Sequence, residues 1–243
     1  MKKQQIKKIF IKGGLGNQLF QLSYIYNNYY ARGIQIVINT SSLGKYTHVD
    51  KRIFELDQVL KVLNINQEDA MEPISETISK IYSKFFSYTF TPFALNGYFQ
   101  DSFTFNLDLK QILSSVLLGN IEYNNSALIH IRGGDFRNVI KDYESRNDFF
   151  IEKAKKYIHQ NDSDNIFYTS DDLDFAKNVI ERHNIKASQI DIEFSDFSRF
   201  KSVISMNSSF SWWGSYLANS KLFSSKDNLG FRKWPKHPNE TII

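Results

Sequence analysis

The alternation of apolar and polar positions predicts a β-α-β unit in the first forty residues. A short apolar run at residues 6–12 is typical of a strand, and residues 17–32 repeat apolar and aromatic positions at helical spacing. Gly33 follows as a suitable helix C-cap. A second short apolar run at 34–38 then predicts a buried strand.

The polar, turn-rich residues 119–126 are the expected boundary between an N-terminal domain, residues 1–122, and a C-terminal domain, residues 123–243. The pattern before this boundary is less regular than in the first forty residues. It predicts a helix over 75–86, a turn into an extended piece at 96–101, and a helix over 105–118.

Strands and helices alternate after the boundary. This alternation predicts a parallel sheet and, with the first β-α-β unit, an α/β protein of two domains that face a cleft. Ligands of open parallel sheets bind beyond the carboxyl ends of the strands, where this sequence carries its polar motifs. The expected strands are 127–132, 165–169 and 202–206, and the expected helices are 147–160, 172–183 and 209–219.

The composition supports one or two ordinary hydrophobic cores, since 42% of the 243 residues are hydrophobic and 15% are aromatic. No apolar run approaches the roughly 20 residues that span a bilayer, which predicts a soluble protein. The N-terminus lacks the apolar segment of a secretory signal, so we interpret it as the start of the first strand. The absence of cysteine excludes disulfides and fits a reducing cytoplasm.

The net charge of +4 reflects 30 basic and 26 acidic residues, with several lysines near the N-terminus. Such an excess suits a phosphate-bearing small ligand or a peripheral contact with the anionic inner face of the cytoplasmic membrane. A solvated lysine-rich terminus is the alternative. Nucleic acid is not an expected partner, because its clustered basic footprint is missing.

The segment GGLGNQ, residues 13–18, connects the first predicted strand and helix. Gly14 and Gly16 let the backbone approach a ligand closely, and amides at a helix start favour an anion or sugar hydroxyls. A purely structural turn is one alternative. A dinucleotide fingerprint is disfavoured because no third glycine follows and the second strand ends in Asn39 instead of an acid.

The segment HIRGGDF, residues 130–136, follows a predicted strand. Arg132 could direct its planar fork at a diphosphate, the two glycines would leave room, and Asp135 could orient the arginine or accept a proton. His130 shares a strand face with Arg132. A satisfied core histidine and a structural arginine–aspartate pair are the alternatives.

Two further strand ends carry polar groups. In YTSDD, either Asp171 or Asp172 could cap the next helix, and the other could bind nucleotide hydroxyls. A two-carboxylate metal site is disfavoured because no histidine or third acid stands beside them.

The segment from 206 to 219 offers an anion site at a helix start, whereas its two tryptophans fit the core better. The capping and hydroxyl groups of this helix start are Asn207, Ser208, Ser209 and Ser211.

These segments together resemble glycosyltransferase family 11, the alpha-1,2-fucosyltransferases. GGLGNQLFQ is similar to the family's N-terminal loop, NGYFQDSFTF to its GYFQ segment and HIRGGDF to HxRRGDY. FYTSDD is similar to its FSDD strand end, and NSSFSWWGSYL to NSSFSWWGAWL. The segments occur in the family's order and span residues 13–217.

The resemblance implies a GT-B-like architecture with an N-terminal acceptor-side domain and a C-terminal donor-binding domain. It implies transfer of L-fucose from GDP-beta-L-fucose, with inversion and without a metal or other cofactor. The expected acceptor is the galactose 2-hydroxyl of an oligosaccharide or lipid-linked glycan, as in O-antigen or capsule synthesis. Alternatives are another GDP-deoxy sugar such as colitose, or a GDP- or glycan-binding module without catalysis.

The resemblance also implies roles for single residues. Arg132 would bind the donor diphosphate, His130 would lie by the guanine, and Asn17 would lie near the fucose and acceptor. Asp135 is the first candidate for the base, with the departing phosphate or Asn17 as alternatives. The chain departs from the family pattern at Gly133, where the family has a second arginine, and at Phe136, where it has tyrosine. The remaining expected donor-binding residues are Gly14, Gly16, Asp171, Asp172, Ser208, Ser209, Phe210 and Ser211.

Overall fold

A computed structural model describes residues 6–41, 43, 53–68, 88–90, 94–120, 124–160, 165–206, 208–225 and 235–243. The chain divides into two compact units. The first comprises Met1–Ile112 and Lys233–Pro235, and the second comprises Leu113–Arg232 and Lys236–Ile243. Each unit contains a sheet with mainly parallel strands, so the expected α/β class is confirmed.

The first unit confirms the predicted β-α-β start. Its sheet has the order β3-β2-β1-β5-β4 and is parallel except for the edge strand β4. The first helix ends at Asn28, and a 3-10 turn, Tyr30–Arg32, continues to Gly33, whose φ of 72° is left-handed. The elements are β1 (Ile6–Phe10), α1 (Leu15–Asn28), β2 (Gln35–Asn39), α2 (Asp57–Val62), β3 (Asn66–Glu68), β4 (Tyr88–Phe90) and β5 (Ala94–Gly97).

The order expected at residues 96–101 is wrong. The extended piece comes first, as β5, and a 3-10 turn at Gln100–Ser102 follows it. Phe99 lies between them with a φ of 54° and stacks on Tyr24 at a centroid distance of 4.2 Å. This tertiary contact is not visible in the local pattern. The helix expected over 75–86 lies outside the described residues.

The second unit holds six parallel strands in the order β11-β10-β9-β6-β7-β8. The three strands and three helices expected after residue 126 are all present, as are most residues of the helix expected over 105–118. Helix α3 (Leu107–Leu117) contains the boundary between the two units, which falls after Ile112. The elements after it are β6 (Asn124–Ile131), α4 (Gly134–Val139), α5 (Tyr143–Gln160), β7 (Asn165–Ser170), α6 (Leu173–Arg182), β8 (Ser188–Gln189), β9 (Phe200–Ser205), α7 (Ser209–Ala218), β10 (Lys221–Ser224) and β11 (Glu240–Ile242).

Strand β6 separates an apolar core from the candidate site. Ile129 and Ile131 belong to a buried cluster that also includes residues of α5 and α6. His130 points to the opposite face, because side chains alternate along a strand, and its neighbours in register are Thr169 and Ser205. The carboxyl ends of β6, β7 and β9 therefore meet at one edge of the sheet.

Helix α7 is almost entirely buried. Trp212 and Trp213 are at most 3% exposed, so the interpretation of both as core residues is confirmed. A Cβ atom at Gly214 would lie 2.3 Å from the ring of Phe197, which shows how closely the helix packs. In the described part of the chain, no helix combines the length and apolarity needed to cross a membrane.

Candidate functional site

Arg132 lies just after β6 and is held by four groups. Its Nη2 donates to Oδ1 of Asp135 at 2.7 Å, and its Nη1 lies 3.0 Å from Oδ2 of Asp171. The guanidinium carbon is 4.9 Å from the ring centroid of Phe136, and the hydroxyl of Tyr143 donates to the Arg132 carbonyl at 2.7 Å. These contacts fix the planar fork before any ligand arrives.

The pair Arg132–Asp135 was expected, but the contact with Asp171 was not. Asp171 comes from the end of β7, and only the parallel pairing of β6 with β7 brings it to the arginine. No local spacing in the sequence indicates this contact.

The glycine pair of HIRGGDF faces the aspartate pair of YTSDD. A Cβ atom at Gly133 would lie 2.4 Å from Cβ of Asp172, and one at Gly134 would lie 2.7 Å from Oδ2 of Asp171. The Gly133 amide donates to Oδ1 of Asp171 at 2.7 Å. The space that a side chain at either glycine would need is therefore filled by these two acids.

Asp172 is the N-cap of α6, so the capping interpretation is confirmed for this residue. Its Oδ1 accepts from the Phe175 amide at 3.1 Å, and its Oδ2 accepts from Nη1 of Arg137 at 3.0 Å. Hydrogen bonds to Glu144 and Asp172 raise the pKa of Arg137, whose guanidinium also lies over the Phe175 ring. Sequence reasoning missed Arg137, since its partners come from other elements.

Both aspartates of YTSDD thus have arginine partners, Arg132 for Asp171 and Arg137 for Asp172. Such pairing disfavours a divalent cation between the two carboxylates, since the arginines already neutralise them. Among the described residues, no group of three histidine, aspartate or glutamate side chains has the arrangement of a metal site. A direct contact of Asp171 or Asp172 with the donor stays a prediction.

His130 contacts the start of α7. Its Nδ1 lies 2.5 Å from Oγ of the fully buried Ser211, and its ring meets Phe210 edge to face at 5.9 Å. Ser208 caps the helix and accepts from the Ser211 amide at 3.4 Å. Ser209 and Phe210 are half-buried in the first turn, whereas Asn207 lies outside the described residues. The structure therefore brings His130 and the SSFS segment together.

The His130 ring is neutral. Burial, reinforced by the nearby positive charge of Arg132, lowers its pKa to about 3. A neutral imidazole carries one hydrogen, so it can accept at one nitrogen and donate at the other. His130 is therefore a buried histidine with a partner at Nδ1, at the same sheet edge as Arg132, and its contact with the guanine stays a prediction.

Acidification is expected to destabilise the protein through His130. The pKa of this ring is about 3 in the folded protein, below the ordinary value of 6.5 that applies to the unfolded chain. Between these values the unfolded chain binds more protons, so the free energy of unfolding falls as the pH falls, by up to about 1.4 kcal/mol per pH unit. Urea unfolding at about pH 7 and about pH 4 measures this loss. His130→Gln should lose less stability over this range, and an equal loss would contradict the assignment.

The N-terminal loop of the first unit is braced by two buried glutamines. Nε2 of Gln18 donates to the Gly13 carbonyl at 3.0 Å, and Nε2 of Gln21 donates to the Lys12 carbonyl at 2.7 Å. Gly13 has a φ of 81°, which favours glycine. The sequence analysis did not identify Gln18 and Gln21 as residues that hold the loop. Two glutamines three residues apart on a buried helix face could have indicated this role.

Asn17 is positioned by the segment after β5. Its Oδ1 accepts from Nε2 of the buried Gln100 at 2.9 Å, and its Nδ2 would lie 2.9 Å from a Cβ atom at Gly13. Gly14 is the N-cap of α1, without a side-chain cap, and Gly16 is buried in the first turn. The structure therefore groups Gly14, Gly16 and Asn17 at the start of α1 in the first unit. Their contact with a sugar stays a prediction.

Comparison with known proteins is consistent with this arrangement. An "Alpha-1,2-colitosyltransferase" from Escherichia coli is 26% identical to the chain in an alignment of 257 positions, gaps included, that covers 86% of this chain and 86% of that protein. The family model described as "Glycosyl transferase family 11" matches residues 1–224. Since this match covers most of the chain, the protein belongs to glycosyltransferase family 11.

Proposed function

We propose that the protein transfers L-fucose from GDP-beta-L-fucose, with inversion, to a hydroxyl of a surface-polysaccharide acceptor. The acceptor hydroxyl would be the 2-hydroxyl of galactose, and the product an alpha-1,2 linkage. Family membership already makes the protein a glycosyltransferase with a nucleotide-sugar donor and a glycan acceptor. We further propose that the two units are the acceptor-side and donor-binding domains of a GT-B enzyme.

The observation that carries this proposal is the fixed Arg132 guanidinium at the same sheet edge as the start of α7. Breaking the bond between sugar C1 and the diphosphate oxygen leaves negative charge on the departing phosphate. Arg132 and the amides near Ser209 would stabilise this charge, and a fixed donor of this kind contributes roughly 100- to 1,000-fold in rate. Asp135 and Asp171 pre-orient the arginine fork for this contact.

The acceptor oxygen would attack C1 from the face opposite the diphosphate, and its proton needs a base. Asp135 remains our first candidate, because its side chain is 38% exposed and only one of its carboxylate oxygens takes the Arg132 contact. The alternatives are the departing phosphate and the Asn17 amide of the first unit. No step in this scheme requires a metal ion, and we propose that the reaction is metal-independent.

A second donor is supported by the comparison with a relative. The Escherichia coli protein is named a colitosyltransferase, and colitose differs from fucose by the absence of the 3-hydroxyl. A site that hydrogen-bonds this hydroxyl would reject colitose by orders of magnitude, whereas an apolar surface there would discriminate little. GDP-colitose is therefore the alternative donor.

Parallel assays with GDP-fucose and GDP-colitose on a panel of galactosides test this proposal. We expect transfer from GDP-fucose, an alpha-1,2 linkage by NMR, and unchanged activity in the presence of a metal chelator. Faster transfer from GDP-colitose would establish the alternative donor. GDP binding without turnover of either donor would instead favour a binding module that has lost catalysis. Activity that disappears with chelator and returns with divalent ions would contradict the metal-independent scheme.

A further inference from the structure

His237 is a fully buried histidine in the C-terminal segment 235–243, outside the family match to residues 1–224. It packs on α7, the helix whose first turn contacts His130. Its ring meets Trp212 edge to face at 5.4 Å and Tyr216 at 6.0 Å. A buried histidine wedged between aromatic side chains needs defined hydrogen-bond partners.

The hydrogen bonds of His237 fix its protonation. The Asn239 amide donates to Nδ1 at 3.1 Å, so this nitrogen carries no hydrogen. The hydrogen of the neutral ring is then on Nε2, which lies 3.2 Å from Oγ of Ser215 and donates to it. The ring must be neutral to make both contacts.

The chain of hydrogen bonds continues from Ser215 to the start of α7. The Ser215 hydroxyl donates to the Ser211 carbonyl at 2.7 Å, and Oγ of Ser211 lies 2.5 Å from Nδ1 of His130. His237, Ser215, Ser211 and His130 are all at most 8% exposed. Because these groups are buried, water neither screens nor replaces their hydrogen bonds. A change at His237 therefore displaces Ser215 and, through it, Ser211.

The C-terminal segment also holds the far end of α7. Nδ2 of Asn239 donates to the Asn219 carbonyl at 3.2 Å, and β11 pairs with β10. The segment therefore contacts α7 at Trp212, Ser215 and Asn219. Contacts along the length of the helix restrict both its rotation and its shift along its axis.

We propose that His237 is a positioning residue for the donor nucleotide, acting through Ser215 on the first turn of α7. This inference rests on the proposed function, in which Arg132 and the amides near Ser209 meet the diphosphate of GDP, and on the expected position of His130 beside the guanine. Losing the His237–Ser215 contact leaves the Ser215 hydroxyl to its contacts with the Ser211 and Trp212 carbonyls, without the ring that holds it from the other side, and this loosens Ser211 against His130. Donor affinity then falls, whereas acceptor affinity does not change.

Four variants test the proposal in the full chain, with GDP as the probe. His237→Phe keeps an aromatic ring but loses both hydrogen bonds, and Ser215→Ala removes the next group of the chain. His237→Gln retains a side-chain N–H donor. Tyr168→Phe is the matched control, since it keeps an aromatic ring and removes one hydrogen bond, from the Tyr168 hydroxyl to Oε1 of Gln189, which joins β7 to β8.

We expect GDP affinity, measured by calorimetry, to fall about tenfold in His237→Phe and Ser215→Ala, the scale of one hydrogen bond. His237→Gln should recover most of the loss, and Tyr168→Phe should bind GDP as the wild type does. The donor KM should rise with the acceptor KM unchanged.

Wild-type GDP affinity in folded His237→Phe and Ser215→Ala proteins would overturn the proposal, and Ser215→Ala decides alone if His237→Phe does not fold. An equal loss in the Tyr168→Phe control would also overturn it, because the effect would then be one of general stability. Wild-type protein that does not bind GDP would refute the proposed donor itself, and the inference with it.

Discussion

Replacing Arg132 by alanine is expected to reduce sugar transfer on the order of 1,000-fold. The guanidinium is the cation that two carboxylates, Asp135 and Asp171, fix at the end of β6. Its loss removes the group that would stabilise the departing diphosphate, and a single fixed donor of this kind is worth roughly 100- to 1,000-fold. It also leaves the two carboxylates to repel each other without the cation between them.

Arg132→Lys should remain impaired, by roughly 100-fold. Lysine keeps the charge but has one terminal nitrogen, so it cannot contact both carboxylates and a phosphate in the fork geometry of arginine. It also loses the planar contact with the Phe136 ring. Initial rates at saturating donor and acceptor, with circular dichroism to confirm folding, measure the effect.

Arg199→Ala is the matched control for both variants. Arg199 also pairs with an aspartate three positions away, Asp196, but it is about half exposed and belongs to a 3-10 turn before β9. Exposed pairs of this kind contribute little to stability, so transfer should remain close to wild type. Near wild-type rates for both Arg132 variants would remove Arg132 from the mechanism.

The parallel sheet of the second unit could be predicted from the sequence because its central strands are buried on both faces. Continuous apolar runs such as 127–132 are typical of such strands, and the polar residues that follow them mark the carboxyl edge. Strands β8 and β11 have only two and three residues. Such short strands exist because a neighbour pairs with them, so no periodicity in the sequence indicates them.

The candidate site could be predicted as a set of segments but not as a set of contacts. The aspartates of YTSDD were recognised, whereas their pairing with Arg132 and Arg137 depends on how the strand ends meet. The contact between His237 and Ser215 likewise joins residues with no common motif. Residue type and spacing indicate which groups carry chemistry, but packing decides what each of them contacts.

At Gly133 the sequence pattern suggests that a substitution would raise activity, whereas the contacts in the structure predict the opposite effect. Against the family pattern this glycine marks a missing arginine, so restoring the arginine would be expected to raise turnover. The structure shows Asp172 in the space that any side chain at position 133 would enter, with 2.4 Å between the two Cβ atoms. Cβ atoms in proteins do not approach this closely, so the backbone or Asp172 must move.

Gly133→Arg is therefore expected to lower both stability and transfer. Moving Asp172 removes the N-cap of α6 and its ion pair with Arg137, and capping alone contributes about 1 kcal/mol. Forcing a side chain into a packed site adds roughly 1–3 kcal/mol. Urea unfolding and initial rates measure the two losses, and Gly133→Ala should show most of the loss of stability because the collision begins at Cβ.

A double-mutant cycle separates this collision from other effects of the substitution. Asp172→Gly removes the Cβ atom that position 133 would meet, and glycine is itself tolerated as an N-cap. Gly133→Ala should then destabilise the Asp172→Gly protein less than it destabilises the wild type, with a coupling of about 1 kcal/mol or more. Additive losses would show that the two positions do not compete for space. A gain in turnover for Gly133→Arg would show that Asp172 yields and that the missing cation limits the reaction.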